Sequence, residues 1–213
     1  MSLHLYMAFV IASAIAICTP GPTVLMVIAD ALAHHKRHAW STVLGVGAGD
    51  LVAMTASLAG AGALLRASTN AFLVLKILGG LYLIYMGLRS IYSTRNRPLA
   101  TRELGEVLAT KSARSRFASA FTVTVTNPKL ILFFVAFVPQ FISTSGSFFR
   151  QGAIYIATFD AMAMINATLY AAAARTVGTI LSSAENQRRI AWISGGILVL
   201  AGVLVLAIRF RPK

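Results

Sequence analysis

Asp50, Asp160 and Lys129 each lie well inside a long apolar run. An aspartate at the centre of a membrane-length helix costs at least about 2.5 kcal/mol to insert. Such a group must face protein or water, and it needs a partner. Lys129 could hold one aspartate as an ion pair that merely ties helices together. A carboxylate left without a full counter-charge takes up a proton more readily in a low-dielectric site. Asp50 and Asp160 are therefore candidates for exchanging protons or receiving an ammonium group. Lys129 would pair with one of them or contact a carboxylate brought in from outside.

Beside these charges the backbone is interrupted. Pro20-Gly21-Pro22 falls in the first apolar run and Asn127-Pro128-Lys129 in the fourth. Proline inside a helix removes a donor and clashes with the preceding turn. In hydrocarbon the freed groups must be satisfied within the protein or beside water. A half-helix that restarts after a break offers free N–H groups to an anion. One that stops there offers carbonyls to a cation. An amino acid carries both charges, so such a site permits it without demanding it. Asn166 and Tyr170 lie four residues apart and share a helix face, where they line the pathway or cap a neighbour. His34, His35 and His38 could bind a metal, but neither cysteine nor an acidic pattern accompanies them. No metal site and no cofactor is expected.

The elements that must position these groups are membrane spans. The chain is 57% hydrophobic and 12% charged, about half the charge of a soluble domain. Six apolar runs, roughly 4–32, 40–65, 71–92, 117–142, 151–174 and 190–208, each approach or exceed the ~20 residues that cross a bilayer. Ala31-Leu32-Ala33 resembles a signal cleavage site. However, no Lys or Arg precedes Lys36, and the first run is too long for a signal core. A net charge of +13 in a soluble protein would suggest nucleic acid. Here the positives sit mainly between spans and mark topology, so no nucleic-acid partner is expected. With the N-terminus outside, the inner loops hold twelve of them and the outer loops and tail six. The basic tail, Arg209 to Lys213, runs against that orientation. The polar stretch 93–116 is a cytoplasmic loop suited to anionic lipid.

The landmarks repeat. Pro22 matches Pro128, Asp50 matches Asp160, and Gly79-Gly80 matches Gly195-Gly196, in the same order and at offsets of 106, 110 and 116 residues. Repeat one covers about 4–92 and repeat two about 117–208 of a single domain, 1–213. Three spans per half forces opposite insertion. The expected fold is all-α, with six transmembrane helices as two inverted repeats and broken helices one and four, a design common in secondary carriers. Gly45 and Gly49, together with Gly79, Gly80, Gly87, Gly195, Gly196 and Gly202, suit close helix contact.

These residues also resemble a known family, the LysE/RhtB amino-acid exporters of bacteria. The resemblance rests on Pro20-Gly21-Pro22, the segment Gly45 through Asp50 (GVGAGD), Leu78 through Leu88 (LGGLYLIYMGL), Asn127-Pro128-Lys129 and Pro139-Gln140-Phe141. It covers nearly the whole chain. It implies a multi-pass protein of the bacterial inner membrane that expels amino acids by proton antiport, and it allows a homodimer. The family's landmark residues fall on Pro20, Gly21, Pro22, Asp50, Asn127, Pro128 and Lys129.

Two other classes fit less well. An exporter of a metal or other small ion should place more His, Cys or acidic ligands in the membrane. An enzyme needs a nucleophile–base pair or a metal constellation, and the one cysteine, Cys18, has no second thiol. Only two intramembrane carboxylates are expected, which disfavours a strongly cationic substrate and leaves neutral amino acids preferred.

Overall fold

The computed structural model describes residues 3–18, 21–34, 39–93, 101–142 and 146–207, and every regular element among them is helical. The first half comprises α1 (Leu3–Cys18), α2 (Pro22–His34), α3 (Trp40–Ala67) and α4 (Thr69–Ser93). A short helix, α5 (Thr101–Ala109), follows. The second half comprises α6 (Ala113–Val125), α7 (Pro128–Leu132), α8 (Phe148–Ala172), α9 (Ala174–Ser182) and α10 (Ala184–Ala207). Four of these helices are long and apolar enough to cross a membrane. The pairs α1/α2 and α6/α7 are each bent by more than 40° at a short break, and counting each pair as one span gives six. The chain is an all-α integral membrane protein.

Both breaks fall at the prolines. Residues 19–20, and with them Pro20, lie outside the described residues; α2 starts at Pro22, where proline's missing N–H costs nothing. The second break bends the chain by 43°. Asn127 caps α7 by accepting from the Lys129 N–H, and Pro128 occupies the first helical position. A π-helical turn, Phe133–Phe137, follows; such turns often mark functional sites.

Small residues set the packing. A Cβ at Gly87 would stand 2.5 Å from the Gly195 carbonyl oxygen, and one at Gly202 2.5 Å from that of Gly80. The contacts run in opposite order along the two helices, so α4 and α10 are antiparallel with their backbones touching. Gly196 faces open space instead. Corresponding helices α3 and α8 are also antiparallel, with Gly47 near Met164 and Gly152 near Leu58. Gly45 and Gly49 admit the backbone of α6, against Phe117 and Phe121.

Two hydrophobic clusters fill the bundle. One is aromatic, built around Phe9, Phe134, Tyr155 and Phe159. The other is aliphatic, with Val27, Ile28, Val43, Val46 and Ala120 at its centre. Part of the stretch expected as a loop is helical. Helix α5 packs Leu104 and Leu108 with the aliphatic cluster, and α6 begins at Ala113, four residues before the expected boundary. Two cations also depart from the loop positions that the charge pattern implies. Lys76 is 3% exposed inside α4, and Arg116 is 4% exposed inside α6.

Candidate functional site

Between the two clusters lies a cavity of about 80 Å³, enough for several waters, since one needs about 10–15 Å³. Gly21, Thr23, Asp50, Asn127, Lys129 and Asn166 supply its polar wall. Its apolar wall includes Val27 and Val46 from the aliphatic cluster and Leu130, Phe133 and Phe159 from the aromatic one. The two breaks meet here, because Asn127 Nδ2 donates to Thr23 Oγ1 at 3.4 Å.

Three carbonyls at the end of α1 are taken by side chains. A helix's last four carbonyls lack intrahelical partners. Lys129 Nζ donates to the Ala16 carbonyl at 2.7 Å, Asn166 Nδ2 to that of Ile17 at 3.3 Å, and Tyr170 Oη to that of Cys18 at 3.1 Å. A cation at a helix C-terminus also answers the helix dipole. The half-helix end thus receives a cation from the protein itself. Asn166 both lines the cavity and caps α1, whereas Tyr170 caps α1 without lining the cavity.

The opposite pole of the break has different chemistry. Thr23 and Val24 stand in the cavity wall. Their amides belong to the first turn of α2, which no carbonyl of that helix can satisfy. The first internal bond of α2 runs from the Leu25 N–H to the Gly21 carbonyl at 3.0 Å. Pro22 itself brings no N–H.

Asp50 is 5% exposed and lines the cavity. Asp160 stands beside it on α8, outside the cavity wall. A Cβ at Gly47, one turn before Asp50 on α3, would lie 3.6 Å from Asp160 Oδ1. Asp160 thus lies against α3 about one turn from Asp50. Asp160 Oδ1 is buried and receives no hydrogen bond from the described residues. A buried carboxylate oxygen in that position needs a proton, a water or a cation against it.

The structure therefore gathers Gly21, Asp50, Asn127, Lys129 and Asn166 around one cavity, sets Asp160 near Asp50, and places Tyr170 on the end of α1, outside the cavity wall. Pro22 and Pro128 shape the breaks. One charged group escapes the sequence argument. Asp30 on α2 is a second buried acid in addition to Asp50, 0% exposed. Its signal was an acid within the first apolar run, but near the run's end, where a charge at the membrane boundary attracts no notice. His34 joins Asp30, at 3.1 Å; His35 and His38 lie outside the described residues.

Paired broken spans meeting at a polar cavity within an apolar bundle define a multi-pass membrane protein built like a translocator. Residues 14–209 match the family model of the LysE type translocators, and the chain belongs to that family. A "Leucine efflux protein" of Klebsiella pneumoniae subsp. pneumoniae is 29% identical over 140 residues, 66% of this chain and 64% of that protein. The match thus spans somewhat under two thirds of that relative's length. A protein of the same name from Enterobacter sp. (strain 638) is 31% identical over 67% of this chain and 65% of its own length. An "Uncharacterized membrane protein" of Vibrio cholerae is 28% identical over 96% of this chain and 98% of its own. No solved structure matches the chain.

Proposed function

We propose that the chain exports neutral amino acids or close derivatives across a bacterial inner membrane, by alternating access coupled to proton entry. The observation that carries this reading is the cavity where the two breaks meet. At one side the first-turn amides of α2 suit a carboxylate. On another, Asp50 suits an ammonium group. Between them, Val27, Val46, Leu130, Phe133 and Phe159 suit an aliphatic side chain. The family and its relatives named for leucine efflux point the same way.

Asp160 supports the coupling. Its Oδ1, which has no donor among the described residues and lies near Gly47 one turn from Asp50, suits a proton that is carried in as substrate leaves. The antiparallel pairing of α3 with α8 and of α4 with α10 supports two oppositely inserted halves, a symmetry that lets a bundle open alternately to each face.

Counterflow of labelled leucine into proteoliposomes loaded with unlabelled leucine tests this reading. Uptake competed by excess leucine or threonine, but not by lysine, is the expected result. No counterflow with any of leucine, threonine, homoserine, lysine or arginine would overturn it. Growth of an overexpressing strain on toxic amino-acid analogues, set against cadmium and nickel, separates it from an exporter of small ions.

A further inference from the structure

A second polar cluster stands apart from the cavity, at the end of the bundle where α5 and α9 pack on α2. Its centre is Asp30, with no solvent exposure. Thr42 on α3 donates to Asp30 Oδ2 at 2.5 Å. Arg116 on α6 places Nε 3.5 Å from Asp30 Oδ1 and donates to Ser41 Oγ at 3.3 Å. His34, one turn along α2, brings Nδ1 to 3.1 Å from the same Oδ1. Three helices that meet at this end, α2, α3 and α6, are thereby tied through one carboxylate.

The position of this cluster matters. Val27 and Val46 line the cavity. Asp30 lies one turn beyond Val27 along α2, and Thr42 one turn beyond Val46 along α3. Going from the cavity toward this end, one apolar layer is crossed and then the ionic cluster. The charge pattern of the sequence makes this the cytoplasmic end. The other end is closed differently, by the aromatic cluster of Phe9, Phe134, Tyr155 and Phe159.

Burying an ion pair is a poor way to gain stability, since apolar residues of similar volume hold as well or better. It is a good way to close something that must reopen. When water enters between parted helices, the separated charges regain their hydration, whereas parted apolar surfaces gain nothing. We infer that the Asp30–Arg116 pair, with Thr42, Ser41 and His34, is the latch of an inner gate. α2 parts from α3 and α6 here when the cavity opens to the cytoplasm. The latch's purpose rests on the transport reading; its geometry does not.

The test uses the full-length protein with Cys18→Ser and Val27→Cys, which leaves one reporter thiol in the cavity wall. A membrane-impermeant maleimide is added to inverted vesicles, whose cytoplasmic face is outward, and separately to right-side-out vesicles. Asp30→Asn and Arg116→Gln should each raise the labelling rate about tenfold in inverted vesicles only. The exchange Asp30→Arg with Arg116→Asp should restore slow labelling. An unchanged rate at normal membrane abundance would overturn the latch, as would an equal rise from both faces, which means general loosening. If the charge variants fail to accumulate, Thr42→Val and Ser41→Ala each remove one partner and should give two- to threefold rises; no rise overturns the inference equally. The readout needs no substrate. Failed counterflow with one-sided labelling would sink the substrate reading alone. Intact counterflow with unchanged labelling would sink the latch alone.

Discussion

Asp50 and Asp160 sit side by side, yet their surroundings assign them different work. Asp50 faces the cavity; Asp160 Oδ1 is buried against α3 with no donor among the described residues. The two substitutions should therefore fail differently. Asp50→Asn should lose counterflow by at least tenfold, because the ammonium partner is gone. Asp160→Asn should keep counterflow, which needs no net proton movement, and lose uphill export driven by an imposed pH gradient. Equal effects on both assays would refute the division of labour. Lys129 has a structural share as well. Its bond to the Ala16 carbonyl is charge-assisted, and such bonds contribute about 1.5–3 kcal/mol. Lys129→Met should lower the melting temperature in detergent by about 5 °C, and more than Asn166→Ala does.

The helices show which parts of this design a sequence can disclose. Breaks at Pro22 and Pro128 were legible because proline acts on its own backbone, wherever the rest of the chain goes. The glycines were legible as packing residues, but not their partners. Gly80, Gly87, Gly195 and Gly202 meet backbone or side chains within 3.2 Å of a Cβ, while Gly196 meets nothing. That contrast gives a controlled pair. Gly87→Ala should cost about 1–3 kcal/mol through overpacking and lower the melting temperature measurably, whereas Gly196→Ala should leave it unchanged. The capping of α1 was only half legible. A cation was expected at a half-helix end, and Lys129, Asn166 and Tyr170 were singled out, but the carbonyls they reach lie more than a hundred residues away in sequence. Asp30 and Arg116 stayed hidden for the same reason. Each looks like an ordinary boundary charge until the fold brings α2 and α6 together.

At the scale of the molecule, the cavity is a polar seam between an aromatic core and an aliphatic core. The bundle beyond the cavity is unlike in chemistry on its two sides, with the ionic cluster of Asp30 and Arg116 on one and the aromatic core on the other. Helices α5 and α9 both pack on α2, at the end that holds the ionic cluster. The joint between α4 and α10 reaches furthest. It links the last helix of one half to the last helix of the other through touching backbones, with no covalent tie needed. A gene cut between codons 93 and 101 should therefore yield two fragments that reassemble in the bilayer. Co-expressed, an affinity tag on the first should retrieve the second, and Gly195→Leu should abolish the recovery. Recovery would mean that the two half-chains recognise each other through this joint, without the peptide between them.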